Sequence, residues 1–76
     1  MNVEKIREII AENLHCDLEE VTMEARLAED LQADSLDAVE LNMALEEEFG
    51  KGISDEQLAE IKTVGDIIKL LEQNAQ

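Results

Sequence analysis

One serine stands out by its neighbours and by its place in the chain. Ser35 follows Asp34 and precedes Leu36 and Asp37, at the point where a loop gives way to a strongly patterned helix. Asp and Ser are good helix N-caps, and the first turn of a helix presents unpaired backbone N–H groups with a partial positive charge. A hydroxyl here is therefore well placed to carry an attached anion such as a phosphate.

The simplest alternative is that Asp34 and Ser35 only cap the helix, because a Ser or Asp before an apolar helix usually does no more than that. A catalytic role for Ser35 is not expected. No His, Lys or Cys lies near it in the sequence to act as a base. Any chemistry at its hydroxyl must be supplied by another protein.

The first part of the chain predicts one helix and a long loop. Apolar residues recur at helical spacing from Val3 to Leu14, which predicts a first helix. Residues 15–34 show no sustained period, and a structureless connection of that length is unusual unless it is functional or anchored. The expected anchors are its larger aliphatic residues, Val21, Leu27 and Leu31.

The rest of the chain predicts three more helices. The second runs from about Ser35 to Phe49 and ends at Gly50, a good left-handed C-cap. Residues 54–57 form a capping box that opens a short third helix. Thr63 caps the fourth, whose apolar face consists of Val64, Ile67, Ile68 and Leu71.

These elements define an all-α fold. The chain has no strand signal, no proline and no repeat. We expect a small four-helix bundle, with three main helices, a short third helix and a long loop between the first and second. Seventy-six residues are enough for one small domain spanning residues 1–76.

The second predicted helix carries apolar residues on two opposed faces. At about 100° per residue, one face holds four residues expected in the core, Ala38, Leu41, Leu45 and Phe49. The other face, roughly 150° away, is here called the outer strip and consists of Leu36, Val39 and Met43. Three acids border the strip, Glu40, Glu46 and Glu47. Because a helix in a small bundle seldom buries opposite faces, we expect the outer strip to face solvent and bind partners rather than pack under the long loop.

Charge is strongly acidic and unevenly placed. Twenty acidic residues against six basic ones leave a net charge of −14. Residues 27–50 contain eight acids and no Lys or Arg. Stability alone does not call for this concentration, because self-repulsion costs folding energy. The charge argues against nucleic acid or an anionic membrane as the main partner and favours basic proteins.

Cysteine usage and hydropathy point to a protein of the cytoplasm. Cys16 is the only cysteine, so it forms no internal disulfide. Its neighbour His15 does not make it a nucleophile or a metal site, which needs more ligands. No apolar run exceeds three residues, so no signal peptide or membrane span is expected. We expect a cytoplasmic, soluble monomer without a metal site.

The stretch from Leu27 to Phe49, centred on the Asp-Ser-Leu-Asp sequence around Ser35 and ending in Leu-Glu-Glu-Glu-Phe, closely resembles the acyl carrier proteins. The type it resembles is the free-standing carrier of dissociated fatty acid synthesis, and the resemblance extends over nearly the whole chain. It implies that Ser35 receives 4′-phosphopantetheine from coenzyme A, through a transferase that uses Mg²⁺. It also implies that the chain is not an enzyme but carries acyl groups as thioesters.

The resemblance implies two further sets of site residues. Basic patches of the transferase and of fatty acid synthesis enzymes are expected to bind the second helix, at Asp34, Leu36, Asp37, Val39, Glu40, Met43, Glu46 and Glu47. The acyl chain is expected between the helices, against Leu45, Phe49, Ile53, Ile61 and Ile68. A deformable aliphatic interior suits such shelter.

Other functions remain open to test. A polyketide, peptidyl or D-alanyl carrier is the nearest alternative. A calcium-binding EF-hand fails, because Ser35 stands where the tight turn needs Gly and Leu41 where a bidentate Glu belongs. An unmodified acidic adaptor or nucleic-acid mimic is more remote.

Two positions depart from the pattern of the family. Gln32 stands where Gly is frequent, and it would add strain of about 1 kcal/mol if φ is positive there. Ser54 stands where Pro is frequent, and it retains a cap.

Overall fold

In the computed structural model, which describes residues 2–74, four α-helices follow one another along the chain. They are α1 (Val3–Leu14), α2 (Ser35–Phe49), α3 (Asp55–Glu60) and α4 (Val64–Asn74). Within residues 2–74 the only extended pairing is an isolated antiparallel bridge between Arg26 and Thr63. The predicted all-α architecture, with a short third helix and a long first loop, is confirmed.

Local capping residues set where α1 begins and where α2 ends. The side chain of Asn2 caps α1 by accepting from the backbone N–H of Lys5 at 3.1 Å. Gly50 ends α2 in the left-handed region at φ 74°, and its N–H donates to the carbonyl of Glu46 at 2.8 Å. Only glycine adopts this φ without a steric cost, which is why α2 stops at the predicted residue.

Side-chain caps also open α3 and α4. The hydroxyl of Ser54 accepts from the N–H of Gln57 at 3.2 Å, and the Gln57 side chain accepts from the N–H of Ser54 at 3.3 Å. This is the predicted capping box. At α4 the hydroxyl of Thr63 accepts from the N–H of Asp66 at 3.2 Å, and the Asp66 carboxylate accepts from the N–H of Thr63 at 3.1 Å. Ser54 and Thr63 therefore cap as predicted.

The core is aliphatic, and the long loop supplies part of it. Its fully buried side chains come from α1, the loop, α2 and α4, and are Ile6, Ile10, Val21, Leu45, Val64, Ile67 and Leu71. The predicted anchors Val21, Leu27 and Leu31 are all buried. Among the described residues no polar or charged side chain is buried. Packing of non-polar surface is therefore what holds the helices together.

The long loop is more ordered than the sequence predicts. A 3-10 turn spans Leu18–Glu20. The guanidinium of Arg7 on α1 donates to the carbonyls of Val21 at 2.7 Å and Leu18 at 3.1 Å. Helical periodicity does not reveal this order, because the partners of the loop lie on distant elements.

Backbone hydrogen bonds join the other half of the loop to the start of α4. The N–H of Leu27 donates to the carbonyl of Lys62 at 2.9 Å, and the N–H of Val64 donates to the carbonyl of Ala25 at 3.0 Å. These bonds satisfy backbone groups that would otherwise be buried without partners. The loop is thereby attached to α1 and to the start of α4 before it reaches Ser35.

None of the helices described here is both long enough and apolar enough to cross a membrane.

Candidate functional site

Ser35 is the first residue of α2, but it does not cap the helix. Asp34 is the N-cap, and its carboxylate accepts from the N–H of Asp37 at 2.9 Å. The Asp37 carboxylate in turn accepts from the N–H of Asp34 at 3.1 Å. The two acids thus form a reciprocal capping box. The structure does not support the alternative that Ser35 serves as the cap.

The hydroxyl of Ser35 is consequently left available for chemistry. The Ser35 side chain is exposed, and within residues 2–74 its hydroxyl makes no hydrogen bond. Ser54, the other serine, is engaged as a cap. The two serines of the chain therefore differ in what their hydroxyls can do.

An open cleft of about 1010 Å³ begins beside Ser35. It lies between the end of the long loop, the first turns of α2 and the helix α3. Its lining is mainly apolar and rich in small residues, including Ala28, Ala33, Ala38, Leu58, Ala59 and Ile61. Arg26 and Lys62 also line the cleft. A flexible chain attached at Ser35 would have this apolar surface directly beside it.

The five residues predicted to shelter an acyl chain are divided between this cleft and the core. Ile61 lines the cleft. Leu45, Ile53 and Ile68 are buried in the closed core, and Phe49 packs half-buried against it. The sequence placed these residues together because they share the inner faces of their helices. Which of them face an open space depends on how the helices are spaced, and the sequence does not reveal that.

The outer strip of α2 faces solvent, as predicted. Leu36 is 66% exposed, Val39 45% and Met43 63%. The core face behind it, by contrast, buries Leu41 and Leu45. Large apolar side chains with this much exposure, aligned on one helix, form the kind of surface that binds proteins.

The acids that border the outer strip are exposed and lack basic partners among residues 2–74. Glu40, Glu46 and Glu47 are exposed, and none forms an ion pair in that part of the chain. Glu48, which follows them, lies 3.9 Å from the ammonium of Lys5. The face of α2 that carries Ser35 and the outer strip therefore bears uncompensated negative charge.

The turn that leads to Ser35 is held by a local ion pair. The Asp30 carboxylate accepts from the backbone N–H of Arg26 at 2.8 Å and from its guanidinium at 3.4 Å. The backbone hydrogen bond is the main cause that lowers the pKa of Asp30, and the side-chain bond adds to it. Gln32 follows with φ 56°. The strain expected at this position is therefore present in the fold.

The surroundings of Cys16 disfavour its thiolate form. Burial raises the pKa of the Cys16 thiol, and the nearby charges of Glu20 and Asp17 raise it further. A raised pKa keeps the thiol protonated and unreactive. Within residues 2–74 no group of three or more His, Cys, Asp or Glu side chains is arranged to hold a metal ion.

Four polar residues that help to position the site are not evident from the sequence pattern. Arg7 holds the long loop, Arg26 holds its last turn, and Asn42 and Asn74 contact the segment before α3. Their partners are mostly backbone groups far away in the chain. The one available signal was their type, since long or amide side chains at half-buried positions commonly bind backbone groups.

Comparison with known proteins agrees with this geometry. Residues 4–71 match a family described as the phosphopantetheine attachment site. Two relatives, each named acyl carrier protein, come from Helicobacter pylori strains G27 and HPAG1. Each is 55% identical over 71 residues, which cover 93% of this chain and 91% of the relative.

Solved structures are similar as well. An acyl carrier protein from Enterococcus faecalis, whose structure was studied for its high thermal stability, has a TM-score of 0.77 at 35% identity, with 95% of this chain and 91% of that chain covered. A protein described as an acyl carrier protein from Mycobacterium tuberculosis has a TM-score of 0.85 at 34% identity, with coverage of 95% and 97%.

The chain belongs to the phosphopantetheine attachment-site family and, within it, to the acyl carrier proteins. Its prosthetic group is 4′-phosphopantetheine, and its fold is that of these carriers. The site fits such a group, because an exposed hydroxyl that has no hydrogen-bond partner among residues 2–74 opens onto an apolar cleft.

Proposed function

We propose that this chain carries acyl intermediates of fatty acid synthesis on a 4′-phosphopantetheine arm attached through the hydroxyl of Ser35. One observation carries the assignment: Asp34 caps α2, which leaves the Ser35 hydroxyl exposed and unpaired at the helix N-terminus. When attached, the arm supplies a terminal thiol on which acyl groups are held as thioesters. The chain itself performs none of the acyl chemistry and acts as a single domain.

The surroundings of Ser35 suggest how a transferase would bind. The backbone N–H groups of the first turn of α2 favour a negative phosphate at this position. The carboxylates of Asp34 and Asp37 oppose it, because they lie in the same turn. A transferase that brings Mg²⁺ and basic side chains would neutralise both carboxylates during the reaction. The two acids would thus serve both as caps and as recognition groups.

The exposed face of α2 is the proposed binding surface for the transferase and for the enzymes of synthesis. Its apolar centre is the outer strip, which supplies area to be buried in a complex. Its border of exposed acids would steer enzymes with basic patches toward Ser35. Eight of its residues are proposed to contact partners, namely Asp34, Leu36, Asp37, Val39, Glu40, Met43, Glu46 and Glu47. We propose that the carrier is a monomer, since each enzyme would bind it only briefly. We also propose that it is cytoplasmic, like the enzymes that would bind it.

The acyl chain is proposed to shelter against the apolar cleft beside Ser35. Ile61 already lines this cleft, whereas Leu45, Ile53 and Ile68 belong to the closed core and Phe49 packs against it. An aliphatic core without large aromatic contacts can part to admit a chain. Each methylene removed from water would contribute up to about 0.8 kcal/mol, less the cost of opening the core.

Mass spectrometry tests the attachment site. The protein is incubated with coenzyme A, Mg²⁺ and a phosphopantetheinyl transferase, and the modified peptide is mapped. We expect one phosphopantetheine per chain, on the peptide that contains Ser35. The variant Ser35→Ala should gain no mass, whereas Ser54→Ala, which removes the only other serine, should be modified normally.

A phosphopantetheine on any other residue, or on the Ser35→Ala variant, would overturn the assignment. Absence of modification in the unaltered protein, under conditions that modify an established carrier, would exclude the carrier function itself.

A further inference from the structure

The helix α3 forms one wall of the cleft but is weakly packed. It has six residues, Asp55–Glu60, and none of them is buried. Leu58 and Ala59 of this helix line the cleft. A six-residue helix is too short to be stable through its own hydrogen bonds. Leu58 packs half-buried against the core, and the remaining contacts that fix the position of α3 lie at its two ends.

The C-terminal end of α3 is joined firmly to the rest of the fold. The N–H groups of Lys62 and Thr63 donate to the carboxylate of Asp66 at 2.9 and 3.1 Å. The carbonyl of Lys62 accepts from the N–H of Leu27 at 2.9 Å. Val64, next along the chain, is fully buried. This end cannot move without disturbing α4 and the long loop.

The N-terminal end of α3 is held by two side-chain amides from other helices. Asn42 of α2 binds both backbone groups of Ile53: its amide oxygen accepts from the Ile53 N–H at 2.8 Å, and its NH₂ donates to the Ile53 carbonyl at 2.8 Å. Asn74 of α4 donates to the carbonyl of Gly52 at 2.9 Å and to the side chain of Gln57 at 3.2 Å. Gln57 is itself part of the capping box that opens α3, in which Ser54 is the N-cap.

The approach of this segment to α2 leaves little room. A Cβ atom on Gly52 would lie 3.0 Å from the amide oxygen of Asn42 and 3.2 Å from the carboxylate of Glu46. Glycine therefore allows the backbone to come close enough for the Asn42 amide to pair with Ile53. Gly52, Asn42 and Ile53 therefore form one close contact between α2 and the segment before α3.

We infer that Asn42 and Asn74 are positioning residues that hold the N-terminal end of α3 against α2 and α4, and thereby set how far the cleft beside Ser35 opens. The C-terminal end of α3 is the fixed end, and the amide-held end is the one that swings outward when these hydrogen bonds break. The part of this inference that concerns acyl chain length rests on the proposed function. The two amides then limit the length of chain that the cleft shelters.

Hydrogen exchange of the unmodified protein tests the contact without any prosthetic group. The reporters are the amides of Leu58 and Ile61, which donate within α3, and the amide of Ile10 in α1. In Asn42→Leu and in Asn74→Ala we expect α3 to exchange at least about fivefold faster, the effect of losing one net hydrogen bond, with Ile10 unchanged.

Asn13→Ala is the matched control. The Asn13 amide donates to the carbonyl of Ile9 within α1, at 2.9 Å, and does not contact α3. It should leave the exchange of Leu58 and Ile61 unchanged. Unaltered exchange in α3 when Asn42 or Asn74 is replaced would overturn the inference, and so would equal acceleration in α1 and α3, which would indicate general destabilisation.

A second measurement tests the limit on chain length. Carriers loaded with acyl groups of increasing length are unfolded in denaturant, as unaltered protein, Asn74→Ala and Asn13→Ala. The stabilisation should level off at a longer chain in Asn74→Ala than in the other two. The same limit in all three would overturn the role in chain length. If Ser35 cannot be loaded at all, the proposed function fails, whereas the exchange experiment still decides the role of the amides.

Discussion

At the scale of single residues, the free hydroxyl of Ser35 depends on its neighbour. Asp34 supplies the cap that a serine at the start of a helix would otherwise provide, and Asp37 completes the pair. Either an Asp or a Ser could cap this helix, and because Asp34 does so the Ser35 hydroxyl is not needed for capping. The residue types alone are compatible with both assignments, and the backbone position of Ser35 as the first helical residue decides between them.

Gln32, three residues before Ser35, stores strain that glycine would remove. Its φ of 56° costs an L-residue about 1–2 kcal/mol. We expect Gln32→Gly to raise the free energy of unfolding by about 0.5–1 kcal/mol, because glycine regains most of this cost but loses more entropy on folding. Urea unfolding gives the change directly. Gln73→Gly, at an exposed position in the last turn of α4, is the control and should not raise stability. A loss of stability in Gln32→Gly would refute the strain.

Asp66 makes stability depend on pH at the acid end. Hydrogen bonds from the backbone N–H groups of Lys62 and Thr63 lower the pKa of this carboxyl. A pKa lower in the folded than in the unfolded chain stabilises the fold above the unfolded value of about 3.9, and this contribution is lost as the pH falls through the folded pKa. In Asp66→Asn the decline of stability below about pH 4 should therefore be shallower. Unfolding measured from pH 3 to pH 7 provides the check, with Glu72→Gln as the control for removing one acid from α4. Equal slopes in the two variants would contradict the role of Asp66.

At the scale of elements, one face of α2 packs in the core and the opposite face is exposed as the proposed surface for binding partners. Leu41 and Leu45 bury one face in the core, whereas the outer strip remains in solvent. The long loop leaves Leu36 and Met43 exposed, and hydrogen bonds to Arg7 and to the start of α4 hold the loop in place. The element that fixes the site is therefore the loop as much as the helix.

Charge reversal on α2 should impair partner binding. Glu40 and Glu47 are exposed acids that border the outer strip. Their joint replacement by Lys should slow association with a transferase or a ketoacyl synthase about tenfold at low salt, and should flatten its dependence on salt. Stopped-flow association across a salt series measures both effects. The same replacement of Glu8 and Glu12, exposed acids on α1, keeps the net charge equal and should have a smaller effect. Equal effects of the two double variants would mean that binding responds to net charge and not to the α2 face.

At the scale of the whole molecule, charge opposes a small aliphatic core. The radius of gyration is 10.9 Å, close to that expected for a compact chain of this length. Within residues 2–74, the ion pairs involve only Lys5, Arg7 and Arg26 as the basic partners. Most of the twenty acids are therefore compensated by solvent ions rather than by the protein.

Added salt should therefore stabilise the fold. Screening weakens repulsion among exposed acids, and each kcal/mol gained corresponds to about 4–8 °C in the melting temperature of so small a domain. Thermal unfolding followed by circular dichroism from low to high NaCl measures the rise. The variant with Lys at positions 40 and 47 should show a smaller rise, because its charge is −10 rather than −14, four units less negative for two Glu→Lys changes. A melting temperature that does not change with salt would show that repulsion is already compensated locally.

Most of the fold was predictable because its signals are local. Helical spacing and caps marked α1, α2 and α4, and Gly50 and the Ser54 capping box marked ends that the structure reproduces. The position of Ser35 at the start of α2 was predictable for the same reason, since Asp34 and Asp37 beside it set where the helix begins. Local chemistry decides these features, because a cap or an amphipathic face depends on residues within one or two turns.

The surroundings of the site were decided only by the tertiary structure. The cleft beside Ser35 and the amide contacts of Asn42 and Asn74 arise where distant segments meet. A hydrophobic pattern states which face of a helix turns inward, but it does not state how closely the helices approach. Ile61 therefore lines an open cleft while Leu45 fills the core, although both belong to inward faces. The physical reason is that a cleft is set by the spacing between elements, and that spacing is fixed by side chains and backbone bonds far apart in the sequence.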